Sequence, residues 1–418
     1  MTTTTAALRR AERDARQEVA PAPSRRRVVL VLGALIALGP ATIDMYLPAL
    51  PTLGDDLSAT PAQVQLTLTG TLVGLGLGQL VLGPVSDAVG RRLPVLVGTA
   101  VHVVASLLCI VAPNIAVLGG LRLLQGLSAA AASVVATAVV RDLYSGNAAA
   151  VVLSRLMLVL GVAPVLAPTV GGELLRHTDW RGVFGALAVL GALLLLMAAR
   201  ALPETLPPSR RRTGGVVGTV RAYRGLLRDR SYVGLVLVAG TAMAALFAYV
   251  SGSAFVLQEQ YGLDEQQFGL VFGAGAVFLI GATQLNVRLL DHTGPAQVLT
   301  GGLVAGVLAS AALLAIAVTG GGLVPLLAAL WAVLASVGLV MPNAPALALS
   351  RHAEAAGTAA ALLGAVQFGV GAVAAPLVGL LGTDATAMGL VMLGGTATAL
   401  AVLVLVVRPL RKGVWASA

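Results

Sequence analysis

One acidic residue, Asp44, lies in the first long apolar segment of this chain, within the stretch TIDMYLPALP that occupies residues 42–51. Charged side chains are rare inside segments that cross a membrane, and those that occur mark ion or proton pathways. Pro40 and Pro48 flank Asp44 and loosen the local helical hydrogen bonding, which makes room for a side chain that faces a cavity. The functional interpretation is a titratable carboxylate that takes up and releases a proton.

Three other roles for Asp44 stay open at this point. The carboxylate could cap a helix end, act as a neutral hydrogen-bonding group, or form a static pair with Arg122 of the fourth apolar segment. Arg122 begins a polar and small-residue face at helical spacing, which continues through Gln125, Gly126, Ala129 and Ser133. The competing interpretation of Arg122 is a side chain that extends to the outer lipid headgroups.

A short polar stretch, GPVSDAVGRR, begins at Gly83 between the second and third apolar segments. We expect Gly83 to permit close approach to a neighbouring helix and Gly90 to permit a left-handed turn. Asp87 can meet a cation or the positive N-terminus of a helix, and Arg91 and Arg92 can anchor the turn at the membrane surface. A generic tight loop with basic anchors would satisfy the same pattern.

The fifth apolar segment contains the stretch GVAPVLAPTVGGELL, which combines prolines with a glycine pair. Pro164 and Pro168 remove backbone donors and are expected to bend the helix. Gly171 and Gly172 permit close packing against a neighbouring helix. The simplest interpretation of this stretch is a helix–helix interface.

The elements that must position these residues are membrane helices. Of the 418 residues, 57% are hydrophobic and 11% are charged, whereas soluble domains carry about 25% charged residues. So few charges cannot cover the surface of a soluble protein, and the chain is therefore interpreted as a polytopic membrane protein. The net charge of +9 comes from arginine clusters in which Tyr223 is the one interleaved aromatic residue, too few for a base-stacking surface, which argues against nucleic acid as a partner.

A membrane span needs about 20 mostly apolar residues, and this rule predicts about twelve spans in two sets of six. The predicted spans are residues 28–50, 63–83, 94–112, 116–139, 150–174, 182–202, 232–256, 267–289, 296–318, 323–348, 357–381 and 385–407. The predicted domains are a basic cytoplasmic tail at 1–27, an N-terminal six-helix half at 28–202, a cytoplasmic linker at 203–231, a C-terminal six-helix half at 232–407 and a cytoplasmic tail at 408–418. The predicted fold class is all-α, with two pseudo-symmetric halves.

Arginines concentrate in the N-terminal tail, in the linker and in alternate loops, which places both termini in the cytoplasm by the positive-inside rule. A weak repeat supports duplication, because the Asp-x-x-Gly of Asp87 and Gly90 recurs at Asp291 and Gly294, at the matching place in the second set. Two such halves predict a transporter of the plasma membrane with its site between them.

The loop pattern around Asp87 and the twelve-span arrangement resemble the major facilitator superfamily, in which this loop is a gate latch rather than a substrate site. The segment at Arg122, Gln125 and Gly126 is similar to the R-x-x-Q-G motif of exporters in that family, where the arginine is associated with proton coupling. The APTVGG segment is similar to the antiporter motif of drug-efflux members, with Ala167 in place of a glycine. The run ALGPATIDMYLPALP most resembles the bicyclomycin/chloramphenicol resistance branch.

The resemblance implies proton-coupled efflux of small amphipathic drugs or metabolites by alternating access, with Asp44 and Arg122 as the proton-coupling residues. The proton is the coupling ion and no other cofactor or metal is expected; the expected partners are a small-molecule substrate and membrane lipid, and the expected state is a monomer. No catalytic set or nucleotide motif is present in the sequence, so an enzyme is not predicted.

Two alternative functions stay open. A proton-coupled importer of a small nutrient is disfavoured by the antiporter-like segment. A non-transporting receptor or scaffold would not need a buried acid together with a buried arginine.

Polar side chains within the spans are the candidates for a substrate cavity. They are Tyr46, Gln125, Tyr249, Asn343 and Gln367. For those in the second half, a satisfied hydrogen bond between helices is the competing interpretation.

Overall fold

The computed structural model of the protein describes residues 25–211, 215–350, 352 and 355–407. These ranges contain twelve helical segments that are long and apolar enough to cross a membrane, and they contain no strand. Of the two predicted tails, residues 1–24 and 408–418 lie outside the described residues.

The first half contains α1 (Arg25–Asp44), α2 (Leu50–Asp56), α3 (Pro61–Val89), α4 (Arg92–Ile110), α5 (Ile115–Leu143), α6 (Gly146–Leu175) and α7 (Trp180–Ala201). The linker contains α8 (Gly215–Leu226). The second half contains α9 (Arg230–Ala254), α10 (Glu265–Leu290), α11 (Pro295–Thr319), α12 (Leu323–Leu349), α13 (Ala356–Leu381) and α14 (Ala385–Val402). The first span is formed by α1 and α2 together, and α9 and α14 each continue as a π-helical turn.

The predicted spans are confirmed, with two notable extensions. The first span continues to Asp56 and the second continues to Val89, whereas the predictions ended at residues 50 and 83. Hydropathy falls in the last turns of the second span, but the helix ends only at Gly90, which adopts a φ of +104°. Helical hydrogen bonding therefore continues beyond the end of the apolar pattern from which the spans were predicted.

Polar caps define where several helices begin. Thr60 and Gln63 form a capping box at the start of α3, and Asp264 and Gln267 form one at the start of α10. In each box, a side-chain oxygen accepts a backbone N–H that has no partner inside the helix. Both boxes lie at the same end of the bundle, which we call the distal end. The opposite end, where residues 203–229 lie, is called the linker end.

The two halves meet along two helix pairs, α3 with α13 and α6 with α10. At the distal end these pairs are in close contact. Gln65 of α3 accepts a hydrogen bond from the Gly379 backbone N–H at 2.7 Å and donates to the Ser251 carbonyl at 3.1 Å. A methyl group placed on Gly172 of α6 would lie 2.4 Å from the Glu265 carbonyl oxygen, so the two backbones touch there.

The seam widens from the distal end to the linker end. Along α6 and α10, a Cβ built on glycine would lie 2.8 Å from the other half at Gly269, 3.0 Å at Gly273 and 3.5 Å at Gly161. At Gly281, nearer the linker end, such a Cβ would have no described atom within 4 Å. The seam between α6 and α10 is therefore packed more closely at the distal end than toward the linker end.

Candidate functional site

The first span breaks next to Asp44 because of a proline. Asp44 is the last residue of α1, and Pro48 follows four residues later inside a 3₁₀ turn. Proline has no N–H with which to bond the carbonyl of the residue four positions earlier, so the helix cannot continue regularly past Asp44. At this break the Asp44 carboxylate lies within electrostatic range of Tyr249, which belongs to α9 in the second half.

The Asp44 carboxylate is buried and has no polar partner. Its exposure is 5%, and within the described part of the chain it makes no hydrogen bond and no ion pair. It does not cap a helix, since it lies at the C-terminal end of α1, where a carboxylate has no free N–H groups to accept. The three competing roles of Asp44, a cap, a neutral hydrogen-bonding group and a static partner of Arg122, are therefore absent from this conformation.

Arg122 lies inside the first half rather than at its surface. The side chain is 0% exposed, so the interpretation in which it extends to lipid headgroups is wrong. Its guanidinium carbon lies 4.4 Å above the ring centroid of Tyr46, and its Nη1 donates to Gln125 Oε1 at 2.9 Å. Among the described residues, Nε and Nη2 have no hydrogen-bond partner. Arg122 thus acts on the break in the first span through the Tyr46 ring, two residues from Asp44.

Tyr46 is held on three sides. Its hydroxyl contacts Thr67 Oγ1 of α3, and its ring lies against Arg122 and 5.7 Å from the ring of Phe184 on α7. The carbonyl of the preceding residue, Met45, faces Gly171 of α6, where a methyl group would lie only 2.0 Å from the oxygen. Helices α3, α5, α6 and α7 therefore all contact the few residues beside Asp44.

Four of the five predicted cavity residues do not line an open cavity in this conformation. Tyr46, Gln125, Tyr249 and Asn343 are each 2% exposed or less. Each is satisfied internally, as shown by the bonds from Tyr249 Oη to the Phe272 carbonyl at 3.2 Å and from Asn343 Nδ2 to Asn286 Oδ1 at 2.6 Å. The spacing of the polar residues predicted that they share one helix face. It could not show that this face packs against neighbouring helices of the same half.

The fifth predicted cavity residue, Gln367, is half-buried in α13 and has no hydrogen-bond partner within the described ranges. Its assignment to a cavity stays a prediction.

The predicted latch residues form a compact polar cluster at the linker end. Arg91 Nη1 lies 2.6 Å from Asp87 Oδ1, and Arg91 Nε lies 2.9 Å from Asp142 Oδ2 at the end of α5. Arg92 Nη2 donates to the Ala199 carbonyl at 2.6 Å. All of these partners belong to the first half, so the contacts of this cluster are made within its own half.

Glu204, in the segment after α7, completes the latch. Its carboxylate accepts the backbone N–H of Arg91 at 2.8 Å, of Leu206 at 3.0 Å and of Arg92 at 3.3 Å. Partial burial opposes ionisation, but these three N–H groups hold the pKa of Glu204 below its usual value. The carboxylate is therefore charged near neutral pH and fixes the turn at Gly90.

Sequence reasoning missed Asp142 and Glu204 as latch partners. They lie 51 and 113 residues from Arg91 along the chain, so no local spacing connects them to the motif. Two signals were available: Asp142 is an acid at the end of a span, and Glu204 is an acid in a strongly basic linker.

The two latch glycines differ in what they permit. Gly83 makes no close helix contact, because a Cβ there would lie 3.9 Å from its nearest neighbour, Val134 Cγ1. That expectation was wrong. Gly90 has a φ of +104°, and a Cβ there would lie 2.4 Å from Glu204 Oε2. The predicted positive φ at Gly90 is thus present and is coupled to the Glu204 contact.

We expect Gly90→Ala to lower the thermal stability of the purified protein, because a side chain at this φ costs about 1–3 kcal/mol and also displaces Glu204. Thermal unfolding in detergent measures the effect. Gly83→Ala, in the same motif but with open space, is the matched control and is expected to unfold at the wild-type temperature. Equal unfolding temperatures for the two variants would contradict this account of the turn.

The antiporter-like residues join the first span to the inter-half seam. Pro164 and Pro168 both lie inside α6, which continues to Leu175. Gly171 packs on the Met45 carbonyl beside Asp44, whereas the adjacent Gly172 packs on the Glu265 carbonyl in the other half. One glycine pair therefore connects the break in the first span with closure of the distal end.

Comparisons with known proteins agree with this architecture. The Major Facilitator Superfamily sequence profile matches residues 30–376. The protein named "Uncharacterized MFS-type transporter YdgK" of Bacillus subtilis is 38% identical over 370 residues, which is 88% of this chain and 92% of that protein. The "Bicyclomycin resistance protein homolog" of Haemophilus influenzae is 31% identical over 366 residues, again 88% of this chain and 92% of that protein.

A solved structure has the same fold. It is described as a bacterial homolog of the human lysosomal transporter Spinster and covers 92% of this chain and 96% of its own, with a TM-score of 0.68 and 17% identity.

Proposed function

Because the chain belongs to the major facilitator superfamily, we propose that this multi-pass membrane transporter exports small, neutral, amphipathic molecules in exchange for protons by alternating access. The observation that carries the proposal is the buried Asp44 carboxylate at the break in the first span, which lies next to the inter-half seam and has neither a cation nor a hydrogen-bond donor among the described residues. The relative named for bicyclomycin resistance supports drug-like cargo, and the resemblance of the α6 segment to the antiporter motif supports export.

The proposed orientation places the linker end in the cytoplasm and the distal end outside the plasma membrane. It rests on the arginines of the linker end, including Arg91 and Arg92, and on the positive-inside rule. In this orientation the more loosely packed end of the α6–α10 seam faces the cytoplasm, which supports an inward-facing assignment of the described conformation. Cargo enters the seam from the cytoplasmic side in this state.

Asp44 is the proposed proton carrier. An isolated ionised carboxylate is costly to bury, so a carboxylate without partners is most stable in this state with its proton bound. Opening of the distal end would bring external water to the break in the first span, from which the carboxylate binds a proton, and water that reaches Asp44 from the linker end would allow the carboxyl group to release it. The proton is then taken up from outside and released inside as the seam alternates, and Asp44 supplies the group that carries it.

Arg122 is the proposed modulator of that carrier. It does not touch Asp44, and its contact with the Tyr46 ring is the physical link between them. A movement of the break in the first span would change the distance between the guanidinium and the carboxylate. Nε and Nη2 of Arg122, which have no hydrogen-bond partner among the described residues, carry donors that such a movement could satisfy.

A growth-inhibition panel tests the function. Cells that express the protein should tolerate neutral amphipathic antibiotics of the chloramphenicol or bicyclomycin kind at higher concentrations than cells that express Asp44→Asn at the same level. Equal tolerance across a broad panel would contradict drug export.

Asp87→Asn is expected to slow conformational exchange, because it weakens a charge-assisted hydrogen bond to Arg91 at 2.6 Å. Loss of such a bond corresponds to roughly a tenfold lower transport rate, with the dissociation constant of the substrate changed by less than about twofold. Initial export rates and equilibrium binding measure the two effects. Asp291→Asn, at the matching place in the second half, is the control.

A collapse of substrate affinity in Asp87→Asn at normal expression would instead place this loop in the substrate site and contradict its assignment as a latch.

A further inference from the structure

Asp44 has no polar partner among the described residues, but the residues two positions before and after it are both anchored. Tyr46 is fixed by Arg122 and Thr67, as described above. Thr42 is buried and its Oγ1 lies 2.8 Å from His102 Nε2 of α4. The break in the first span is thus attached to the interior of the first half on both sides of the carboxylate.

Counting protons settles the direction of the Thr42–His102 bond. The single hydroxyl proton of Thr42 is donated to the Leu38 carbonyl, at 2.6 Å. Thr42 Oγ1 can therefore only accept from the imidazole, and His102 must carry its proton on Nε2. His102 Nδ1 is left as the unprotonated ring nitrogen.

The second ring nitrogen is consistent with that tautomer. Ser106 Oγ lies 3.5 Å from His102 Nδ1, but its proton is donated to the His102 carbonyl at 2.7 Å. Ser106 Oγ also accepts a hydrogen bond from Gln125 Nε2 at 2.7 Å, and Gln125 Oε1 accepts from Arg122. Hydrogen bonds and close polar contacts therefore continue from Thr42 to Arg122, and Arg122 then meets Tyr46 through its ring.

We propose that His102 is a positioning residue for Asp44. By donating its Nε2–H to Thr42, His102 fixes the break in the first span. This inference rests on the proposed function, in which Asp44 carries the proton. The Thr42 anchor and the Tyr46 anchor share one buried network, so loss of either lets the carboxylate move relative to the seam.

The surroundings of His102 suit a neutral positioning group. From α1 it faces Thr42, from α5 Arg122 is within electrostatic range, and from α7 it faces Gly191, where a Cβ would lie 3.3 Å from Nδ1. Arg122 is the charged group within its electrostatic range among the described residues. A second positive charge on the imidazole would lie beside that guanidinium, which disfavours a role for His102 as the proton carrier itself.

Paired substitutions separate the hydrogen bond from packing. Thr42→Val and His102→Leu remove it while keeping similar shape, whereas Thr42→Ser and His102→Gln retain an acceptor and a donor. Thr99→Val is the control, because Thr99 is an equally buried threonine whose hydroxyl bonds only the Val95 carbonyl of its own helix, at 2.8 Å.

The readout is the reaction of Asp44 with dicyclohexylcarbodiimide, which modifies protonated buried carboxyl groups, followed by mass spectrometry across a range of pH. Thr42→Val and His102→Leu are expected to change the labelling rate about fivefold and to shift its pH dependence by about half a unit. Combining them should add little further change, because both break one bond. Thr42→Ser and His102→Gln should recover most of the wild-type profile.

The outcomes separate this inference from the proposed function. If Thr42→Val and His102→Leu label like Thr99→Val while Asp44→Asn abolishes export, the positioning role is contradicted and proton export stands. If the labelling shifts as expected but Asp44→Asn exports normally, the positioning role stands and the proton-carrier role falls. Failure of the serine and glutamine variants to recover the profile would show a packing effect and would also contradict the inference.

Discussion

Asp44→Asn is expected to abolish drug accumulation against a gradient while the protein still inserts and folds. Asparagine keeps the size and polarity of the side chain and removes its titration. Because Asp44 makes no hydrogen bond or ion pair in the described part of the chain, the substitution breaks no contact on which the fold depends. The whole loss is therefore expected in transport rather than in stability.

The expected magnitude follows from the driving force. One proton that crosses ~100 mV inward supplies about 2.3 kcal/mol, and one pH unit adds about 1.4 kcal/mol. Together they support a concentration gradient of roughly 500-fold for a neutral molecule. With Asp44→Asn, the concentrations on the two sides of the membrane should become equal. Asp55→Asn, an exposed acid farther along the same span, is the control and should export normally. Normal export by a well-expressed Asp44→Asn protein would contradict the role of Asp44 as the proton carrier.

Gly172→Ala is expected to disrupt closure of the distal end and to lower export about tenfold or more. The new methyl group would lie 2.4 Å from the Glu265 carbonyl oxygen, and both atoms belong to helix backbones that meet at the seam. Overpacking of this kind costs about 1–3 kcal/mol, and the cost falls on the state in which the distal end is closed. The population should therefore shift toward the outward-open state.

Spin labels report this shift directly. Cysteines at Ser58 and Glu259, on opposite halves of the distal end, can be labelled selectively once the buried Cys109 is replaced by alanine. The distance between the labels should increase in Gly172→Ala. Gly161→Ala is the control, since its methyl group would make an ordinary 3.5 Å contact with Ile280. An unchanged distance distribution in Gly172→Ala would contradict this account of the seam.

The sequence predicted the spans well because a span is a local property. Length and hydropathy are enough to place twelve helices, and errors occurred where helical hydrogen bonding extends into polar residues such as those before Gly90. The turn at Gly90 was predicted, but the contacts of Arg91 were not: Arg91 was expected to anchor the turn at the membrane surface, whereas it is 7% exposed and pairs with Asp87 and Asp142.

The candidate site was only partly predictable because its contacts join distant helices. Asp44 and Arg122 were expected to be neighbours, but they do not touch, and Arg122 contacts the ring of Tyr46 instead. A polar face can be read from helical spacing, but the helix toward which it turns is set by packing of the whole half. For the same reason the roles of His102 and Glu204 emerged only from the structure.

The most direct test of one-proton, electrogenic export is transport in reconstituted vesicles with the membrane potential set to zero by a potassium ionophore. With one pH unit across the membrane, the gradient of a neutral substrate should fall from roughly 500-fold at ~100 mV to roughly tenfold, because only the pH term remains. An unchanged gradient of the neutral substrate at zero potential would contradict the account.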